Sequence, residues 1–258
     1  MLILLIVAAL ATAFYTIRDV NKNRIEVGTS GGRALSLSMN PTMEPSSELI
    51  QIVGPNDMTD SSVTEGKNTP IEDRIVDIIS TEGSFTNEDD FFIAGTFYIK
   101  NVTDETKTYT EQLKFLQSDK GTAKALRVMV IRNDDIVVYA HPKTDKDGNT
   151  VYDEDGNPVA EEVAPGQAYA QRYLTKDDEG NYKVAKNNEV RPWMCENFYC
   201  DEDGNYETYV INAPNQVIGS GEVIRYSLII WFEGWDPECI DPILGGVVKL
   251  SLSFICDD

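Results

Sequence analysis

The chain has 258 residues with 22 Lys and Arg against 43 Asp and Glu, so its formal net charge is −21 at pH 7. Hydrophobic residues make up 41% of the sequence, which argues against a disordered chain and predicts a packed core. This charge repels phosphate backbones, so we expect no nucleic-acid partner. His141 is the single histidine, which disfavours histidine-rich zinc sites and Ser-His-Asp or Cys-His nucleophiles. We therefore expect a protein that is not an enzyme.

The N-terminal segment predicts export. Residues 1–13 are an uncharged apolar run that ends in Ala11-Thr12-Ala13, as in the h-region and cleavage site of a secretory signal peptide, although a basic n-region is missing. Extending the run to Ile17 gives 17 nearly apolar residues, so a retained anchor or a pilin-like helix is the alternative. We expect a secreted or cell-surface protein, without a stable membrane span if this segment is cleaved. Residues 14–258 then form one domain.

Period-two alternation of apolar and polar residues predicts strands through the chain. After the Leu126–Ile131 strand, Asn133-Asp134-Asp135 predicts a hairpin turn. Alternation of this kind puts one face of a sheet on a core and the other in water. We therefore predict an all-β fold, an antiparallel, jelly-roll-like β-sandwich with a few short helices. The clearest strand segments are Phe91–Lys100, Leu126–Ile131, Ile136–Ala140, Val223–Phe232 and Val247–Ile255.

Helix signals are few. Thr69-Pro70-Ile71-Glu72 has the spacing of a capping box ahead of the apolar run 75–79, which predicts a helix, although the same stretch also fits a strand. A short helix is expected within Ser118–Ala125, and a single turn is expected from Asp236-Pro237.

An acidic insertion interrupts the strand pattern. Lys143–Glu207 holds 16 acidic and 7 basic residues. It repeats an Asp/Glu-Gly-Asn unit whose glycines suit the positive φ of tight turns. We predict a meander of solvent-exposed β-hairpins within the sandwich domain. The four units are Asp147-Gly148-Asn149, Asp155-Gly156-Asn157, Glu179-Gly180-Asn181 and Asp203-Gly204-Asn205.

The first two repeats resemble calcium loops, with candidate ligands Asp145, Asp147, Asp153 and Asp155. In an EF-hand loop glycine stands at position 6, whereas counting from Asp145 or Asp153 places it at position 4. Hairpin turns are therefore the favoured interpretation. Calcium binding by clustered carboxylates is the alternative, and we otherwise predict no cofactor.

A second acidic group follows a predicted core strand. Glu233, Asp236 and Glu238 lie beside Trp231 and Trp235, which fits either a cation site or carbohydrate platform, or a capped turn between two core strands. We favour the capped turn. A pair of carboxylates for glycoside hydrolysis would need a defined separation, and no motif marks such a pair.

Four cysteines lie in the last quarter of the chain. Export to an oxidising compartment predicts disulfides. The favoured pairing is Cys195–Cys200 with Cys239–Cys256, although three pairings exist and buried thiols are the alternative.

Two stretches resemble the TasA/camelysin group of secreted proteins. They are Ala13–Met39, with an aromatic pair and an alternating strand after the apolar run, and the C-terminal stretch from Ile230 through Gly245-Gly246 to Phe254. The resemblance implies a jelly-roll-like sandwich of the cell surface or biofilm matrix, released by a dedicated signal peptidase and assembled into fibres by donation of an N-terminal strand. The donated strand would carry Phe14, Tyr15, Ile17, Val20, Ile25 and Val27.

We therefore expect a secreted structural protein that self-associates into filaments by strand addition. The alternative is an adhesin-like binding module, in which the acidic hairpins and tryptophans capture cations or glycans.

Overall fold

The computed structural model describes residues 23–55, 58–63, 71–86, 91–189, 191–243 and 245–256. Strands account for 49% of the chain and helix for 7%, so the predicted all-β class is confirmed. The strands are β1 (Arg24–Ser30), β2 (Leu35–Ser38), β3 (Leu49–Val53), β4 (Asp60–Ser61), β5 (Gly83–Phe85), β6 (Phe92–Asn101), β7 (Lys107–Ser118), β8 (Leu126–Arg132), β9 (Asp135–Ala140), β10 (Arg172–Lys176), β11 (Tyr182–Lys186), β12 (Glu196–Asn197), β13 (Tyr209–Ile218), β14 (Val223–Glu233) and β15 (Val248–Cys256).

These strands build two packed sheets and a separate hairpin. The first sheet has the order β13-β7-β15-β1-β3, and the second has the order β12-β9-β8-β14-β6-β2, with β4 beside β14 and β5 beside β6. Strands β10 and β11 pair with each other. Most pairings are antiparallel, but β1 lies parallel to β15, β12 lies parallel to β9 and β4 lies parallel to β14. The sheets of the sandwich are therefore mainly antiparallel, with a few parallel pairs.

The main core lies between the two sheets. It contains Ile93, Phe97 and Ile99, which lie on one face of β6. The rings of Phe97 and Tyr226 stack with their centroids 5.5 Å apart. The five strong strand predictions correspond to β6, β8, β9, β14 and β15, and the predicted hairpin joins β8 to β9 through Asn133, whose φ is 52°.

A second core covers the outer face of the second sheet, a face that the alternating pattern predicted to be exposed to solvent. Arg127 and Met129 alternate with Leu126, Val128 and Val130 along β8, so a sheet with one face in water would expose them, but both are fully buried. The covering layer comes largely from the acidic insertion, so the prediction of a solvent-exposed meander is wrong for its apolar part. The insertion residues in this core are Val163, Ala164, Tyr169, Leu174, Trp193 and Cys195.

A short helix completes this layer, and a second lies elsewhere in the fold. Helix α1 (Ile75–Ile79) follows a 3₁₀ turn at Glu72–Arg74 and buries Ile75, Ile78 and Ile79. The helical alternative for this stretch is therefore confirmed, while Thr69 and Pro70 lie outside the described residues. Helix α2 (Thr122–Ala125) confirms the second expected helix.

The remaining helical turn is a 3₁₀ segment at Asp241–Ile243. Within the part of the chain that the structure describes, no helix has the length and apolarity needed to cross a membrane.

Candidate functional site

The predicted acidic turn begins at the buried end of β14. Glu233 is fully buried, and its Oε2 accepts a hydrogen bond of 2.8 Å from the Trp231 indole N–H. Its Oε1 accepts a bond of 3.2 Å from the backbone N–H of Trp235. Burial raises the pKa of Glu233 even though these donors act in the opposite direction. The carboxyl group therefore fixes the start of the turn.

A buried ion pair anchors the middle of the turn. Arg127 on β8 and Asp236 approach to 2.7 Å, and both side chains are almost wholly buried. The Arg127 guanidinium also donates to the carbonyl of Glu162, at 3.2 Å from Nε and 3.0 Å from a terminal nitrogen. One side chain thus ties together the second sheet, the turn after β14 and the insertion.

Glu238 links this buried pair to a surface cavity. Burial and the neighbouring Asp236 carboxyl raise the pKa of Glu238 to about 7, and Thr144 donates its hydroxyl to the Glu238 carboxyl. Glu238 lines a cavity of about 390 Å³ whose other charged residues are Lys120, Lys124, Lys146 and Asp145. The raised pKa favours the protonated form of Glu238 on the wall of this cavity.

The structure thus brings Glu233, Asp236 and Glu238 together, as the sequence grouped them. It places Arg127 among them, and Arg127 was not predicted as a site residue because β8 alternation placed it outward. Since Asp236 already pairs with Arg127, the arrangement fits the favoured capped turn. Among the described residues, no group of three or more Asp, Glu, His or Cys side chains is placed to hold a metal ion.

The other four candidate ligands lie in turns of the insertion. Asp145 Oδ1 accepts backbone bonds of 2.8 Å from Asp147 and 2.9 Å from Asn149, and Asp153 Oδ1 accepts bonds of 3.0 Å from Asp155 and 2.8 Å from Asn157. In each case the backbone N–H of the asparagine is the largest cause that lowers the pKa of the first aspartate. These two aspartates therefore act as turn caps.

The repeated unit is longer than the three residues recognised in the sequence. Asp177 and Asp201 make the same pair of backbone contacts two and four residues ahead. All four glycines have φ between 81° and 87°, the left-handed conformation that glycine adopts without strain. The full pattern is Asp-x-Asp/Glu-Gly-Asn, and the sequence analysis singled out the leading aspartate in the first two repeats but not Asp177 and Asp201.

The cysteines are thiols rather than the predicted disulfides. Cys195 lies in the buried outer core and Cys200 is exposed. Burial raises the pKa of Cys195 to about 12.

The second predicted pair is also absent. Cys239 donates its backbone N–H to Asp236 in the turn after β14, whereas Cys256 ends β15 with its sulfur 3.6 Å from the Thr108 carbonyl.

His141 has a structural environment. Its Nδ1 donates to the Pro142 carbonyl at 2.8 Å, and its ring lies 5.7 Å from the Tyr206 ring. Burial lowers the pKa of His141, which favours the neutral ring.

A polar link through the core was also missed by the sequence analysis. Glu111 on β7 is fully buried and accepts hydrogen bonds from Arg132 at 2.9 Å and from the Tyr226 hydroxyl at 3.2 Å. Because Glu111 belongs to the first sheet and its two donors to the second, the network ties the sheets across the core. The only signal in the sequence was an acid within an apolar alternation.

The predicted assembly strand is described in part. Phe14, Tyr15, Ile17 and Val20 lie outside the described residues, while Ile25 and Val27 are fully buried in β1. β1 fills the position between β15 and β3, with Ile25 opposite Leu250 and Ile52. This part of the N-terminal segment therefore completes the sheet of its own chain, whereas the sequence predicted pairing with another subunit.

No family model, no curated protein and no solved structure matches this chain. The resemblance to the TasA/camelysin group thus stays a prediction from the quoted residues.

Proposed function

We propose that the chain is a secreted structural subunit of a cell surface or extracellular matrix, and that copies self-associate by exchanging β1. The position of β1 carries this proposal. An N-terminal strand that fills a gap between two other strands makes the same contacts when it comes from a neighbouring copy, which is domain swapping. Exchange through successive copies generates a filament.

The connection from β1 to the rest of the fold suits such an exchange. Gly31 and Gly32 link β1 in the first sheet to β2 in the second, and both have positive φ, 85° and 92°. A Cβ atom on Gly31 would lie 2.1 Å from the carbonyl oxygen of Cys256, so only glycine fits this crossing. The two glycines form a hinge at which β1 swings out as a unit.

The energetics favour exchange over exposure of β1. Burial of a Val or Ile side chain contributes about 1.5–3 kcal/mol, and Ile25 and Val27 are both fully buried. A chain whose β1 is displaced and not replaced therefore loses the burial free energy of these side chains and the main-chain hydrogen bonds of β1 to β15 and β3. A β1 strand from a second copy restores these contacts and hydrogen bonds. The equilibrium between the closed monomer and the exchanged assembly therefore depends on protein concentration.

Cross-linking between chains tests the proposal. Glu26 and Ser251 are register partners in β1 and β15, at a separation that a disulfide spans. We place Glu26→Cys in one population and Ser251→Cys in another, both with Cys200→Ser, then unfold, mix, refold and oxidise them. Exchange predicts a disulfide-linked heterodimer on a non-reducing gel.

The matched control replaces Ser251→Cys with Val217→Cys. Val217 is 60% exposed on β13 and is not a partner of β1, so it should give no specific product. A Glu26→Cys, Ser251→Cys double variant that closes only within one chain at every concentration, with no filaments by electron microscopy, would refute the proposal.

A glycan-binding module is the second candidate function, favoured by the cavity beside Glu238. Its three lysines suit the carboxylate of an acidic sugar, and Lys124 donates to the Gly148 carbonyl at 3.4 Å without forming an ion pair among the described residues. Calorimetry with digalacturonate should give saturable heat that Lys124→Ala reduces and Lys183→Ala, in the distant β11, leaves unchanged. Absence of heat at low salt would reject this candidate.

A further inference from the structure

Glu238 and Asp236 share one proton in the turn after β14. The Glu238 carboxyl forms a hydrogen bond with the Asp236 carboxyl, and the Glu238 backbone N–H donates to Asp236 Oδ1 at 2.9 Å. Ionised carboxylates only accept, so a hydrogen bond between two carboxyl groups requires that one of them carries a proton. Asp236 Oδ2 forms an ion pair with the Arg127 guanidinium at 2.7 Å. The negative charge therefore lies on Asp236 and the proton on Glu238.

The buried side of this pair holds three more titratable groups. Glu161, Glu233 and Cys195 all interact with the Arg127 guanidinium. Burial raises the pKa of each of them, to about 12 for the thiol. These three groups belong to the protein interior, whereas Glu238 belongs to the wall of the 390 Å³ cavity. Glu238 is therefore the carboxyl group of this cluster that a ligand in the cavity meets.

The cavity side carries mainly positive charge. Thr144 donates its hydroxyl to the Glu238 carboxyl. His141 interacts with Lys124, and its ring is neutral at neutral pH because burial lowers its pKa. With Glu238 protonated, three ammonium groups on the wall stand against one carboxylate, and ionisation of Glu238 adds a second carboxylate. The other charged residues of the wall are Lys120, Lys124, Lys146 and Asp145.

We propose that capture of an acidic sugar in this cavity is coupled to the proton on Glu238, so that the sugar is held at mildly acidic pH and released as the pH rises. The proposal rests on the second candidate function, glycan binding at this cavity, and adds its regulation. Loss of the proton breaks the bond to Asp236 and places a second carboxylate on the wall, which repels the carboxylate of the sugar. The apolar part of the wall, Pro237 and Ile240, contacts the sugar ring in both protonation states.

The change in charge falls near neutral pH. Burial and the Asp236 carboxyl raise the pKa of Glu238 to about 7, so Glu238 is largely protonated at pH 6 and largely ionised at pH 8. Ammonium groups and sugar carboxylates ordinarily titrate outside this range. Because coupling is reciprocal, a bound anion favours the protonated form of Glu238 by the same factor. Binding at pH 7 therefore takes up a fraction of a proton.

Calorimetry with digalacturonate at pH 6 and pH 8 tests the coupling. We expect the native chain to bind about fivefold more weakly at pH 8, as one added charge on the wall of a water-exposed cavity predicts. Glu238→Gln cannot ionise and should bind equally at both pH values. The matched control is Glu105→Gln, because Glu105 precedes β7 while Lys120 follows the opposite end of that strand. This control should keep the pH dependence of the native chain.

Proton uptake gives a second measurement. Titrations at pH 7 in two buffers of different ionisation enthalpy should show uptake by the native chain and none by Glu238→Gln. Saturable heat with equal affinity at pH 6 and pH 8, or the native pH dependence in Glu238→Gln, would overturn the coupling and leave glycan binding intact. Absence of saturable heat at both pH values in low salt would reject glycan binding, and the coupling with it.

Discussion

The Arg127–Asp236 pair is the most deeply buried ion pair among the described residues. Removing one partner of such a pair leaves an uncompensated charge, which costs about 3–5 kcal/mol. We expect Asp236→Asn to lower the free energy of unfolding by an amount in this range, measured by urea denaturation. Arg127→Met combined with Asp236→Leu should cost less than either single change, because no charge stays behind. A loss below about 1 kcal/mol for Asp236→Asn would show that water or other acceptors compensate Arg127.

Glu238 predicts a pH dependence of opposite sign to that of most carboxylates. Burial and the neighbouring Asp236 carboxyl raise its folded pKa to about 7 from the ordinary value of 4.5, so the fold favours the protonated form. The resulting stabilisation is complete below the unfolded pKa and is lost as the pH rises through about 7. We expect the unfolding free energy of the native chain, relative to Glu238→Gln, to fall between about pH 4.5 and 7. A difference that stays flat, or rises with pH, would contradict this assignment.

At the scale of elements, the insertion supplies one wall of a core. Trp193 is 6% exposed and its ring stacks 6.3 Å from that of Tyr169. We expect Trp193→Ala to cost about 3–5 kcal/mol, as for other buried large-to-small changes. Tyr173→Ala is the matched control, since Tyr173 belongs to the same insertion and is 49% exposed. Equal, small effects in thermal or urea unfolding would mean that the insertion is a decoration that the fold does not need.

Strand positions were predictable from the sequence because alternation is a local property. The burial of both faces of the second sheet was harder to predict, since it depends on what distant segments cover. A signal was nevertheless present in β14, where Ile229 and Trp231 are apolar on the face opposite to Leu228 and Ile230. A run that is apolar on both faces indicates a strand buried on both sides.

The candidate site was predictable only in its acidic half. Glu233, Asp236 and Glu238 are neighbours in the sequence, so their grouping needs no tertiary information. Arg127 comes from a strand more than a hundred positions earlier, and its role depends on how the sheet and the insertion pack. The aspartates that cap the turns of the insertion were partly predictable. The leading aspartate of each five-residue repeat is visible in the sequence, but its contacts in the structure identify its role.

For the whole molecule, the net charge of −21 opposes any assembly of identical copies. Like charges repel over about 30 Å at 0.01 M salt but only over about 8 Å at 0.15 M. Exchange of β1 preserves the short-range apolar contacts of Ile25 and Val27, which salt hardly weakens, while the repulsion between subunits is screened. Strand exchange therefore predicts that assembly increases with ionic strength.

Analytical ultracentrifugation of the chain after refolding at 0.01 M and 0.15 M sodium chloride measures this effect. We expect a larger assembled fraction at the higher salt concentration. The control is Gly31→Ala, whose added methyl group would collide with the Cys256 carbonyl where the chain crosses between the sheets. We expect this variant to have a different assembled fraction at both salt concentrations, but the fraction should still increase with salt. Assembly that weakens with salt would instead indicate attraction between oppositely charged surfaces, and an interface other than the apolar seat of β1 between β15 and β3.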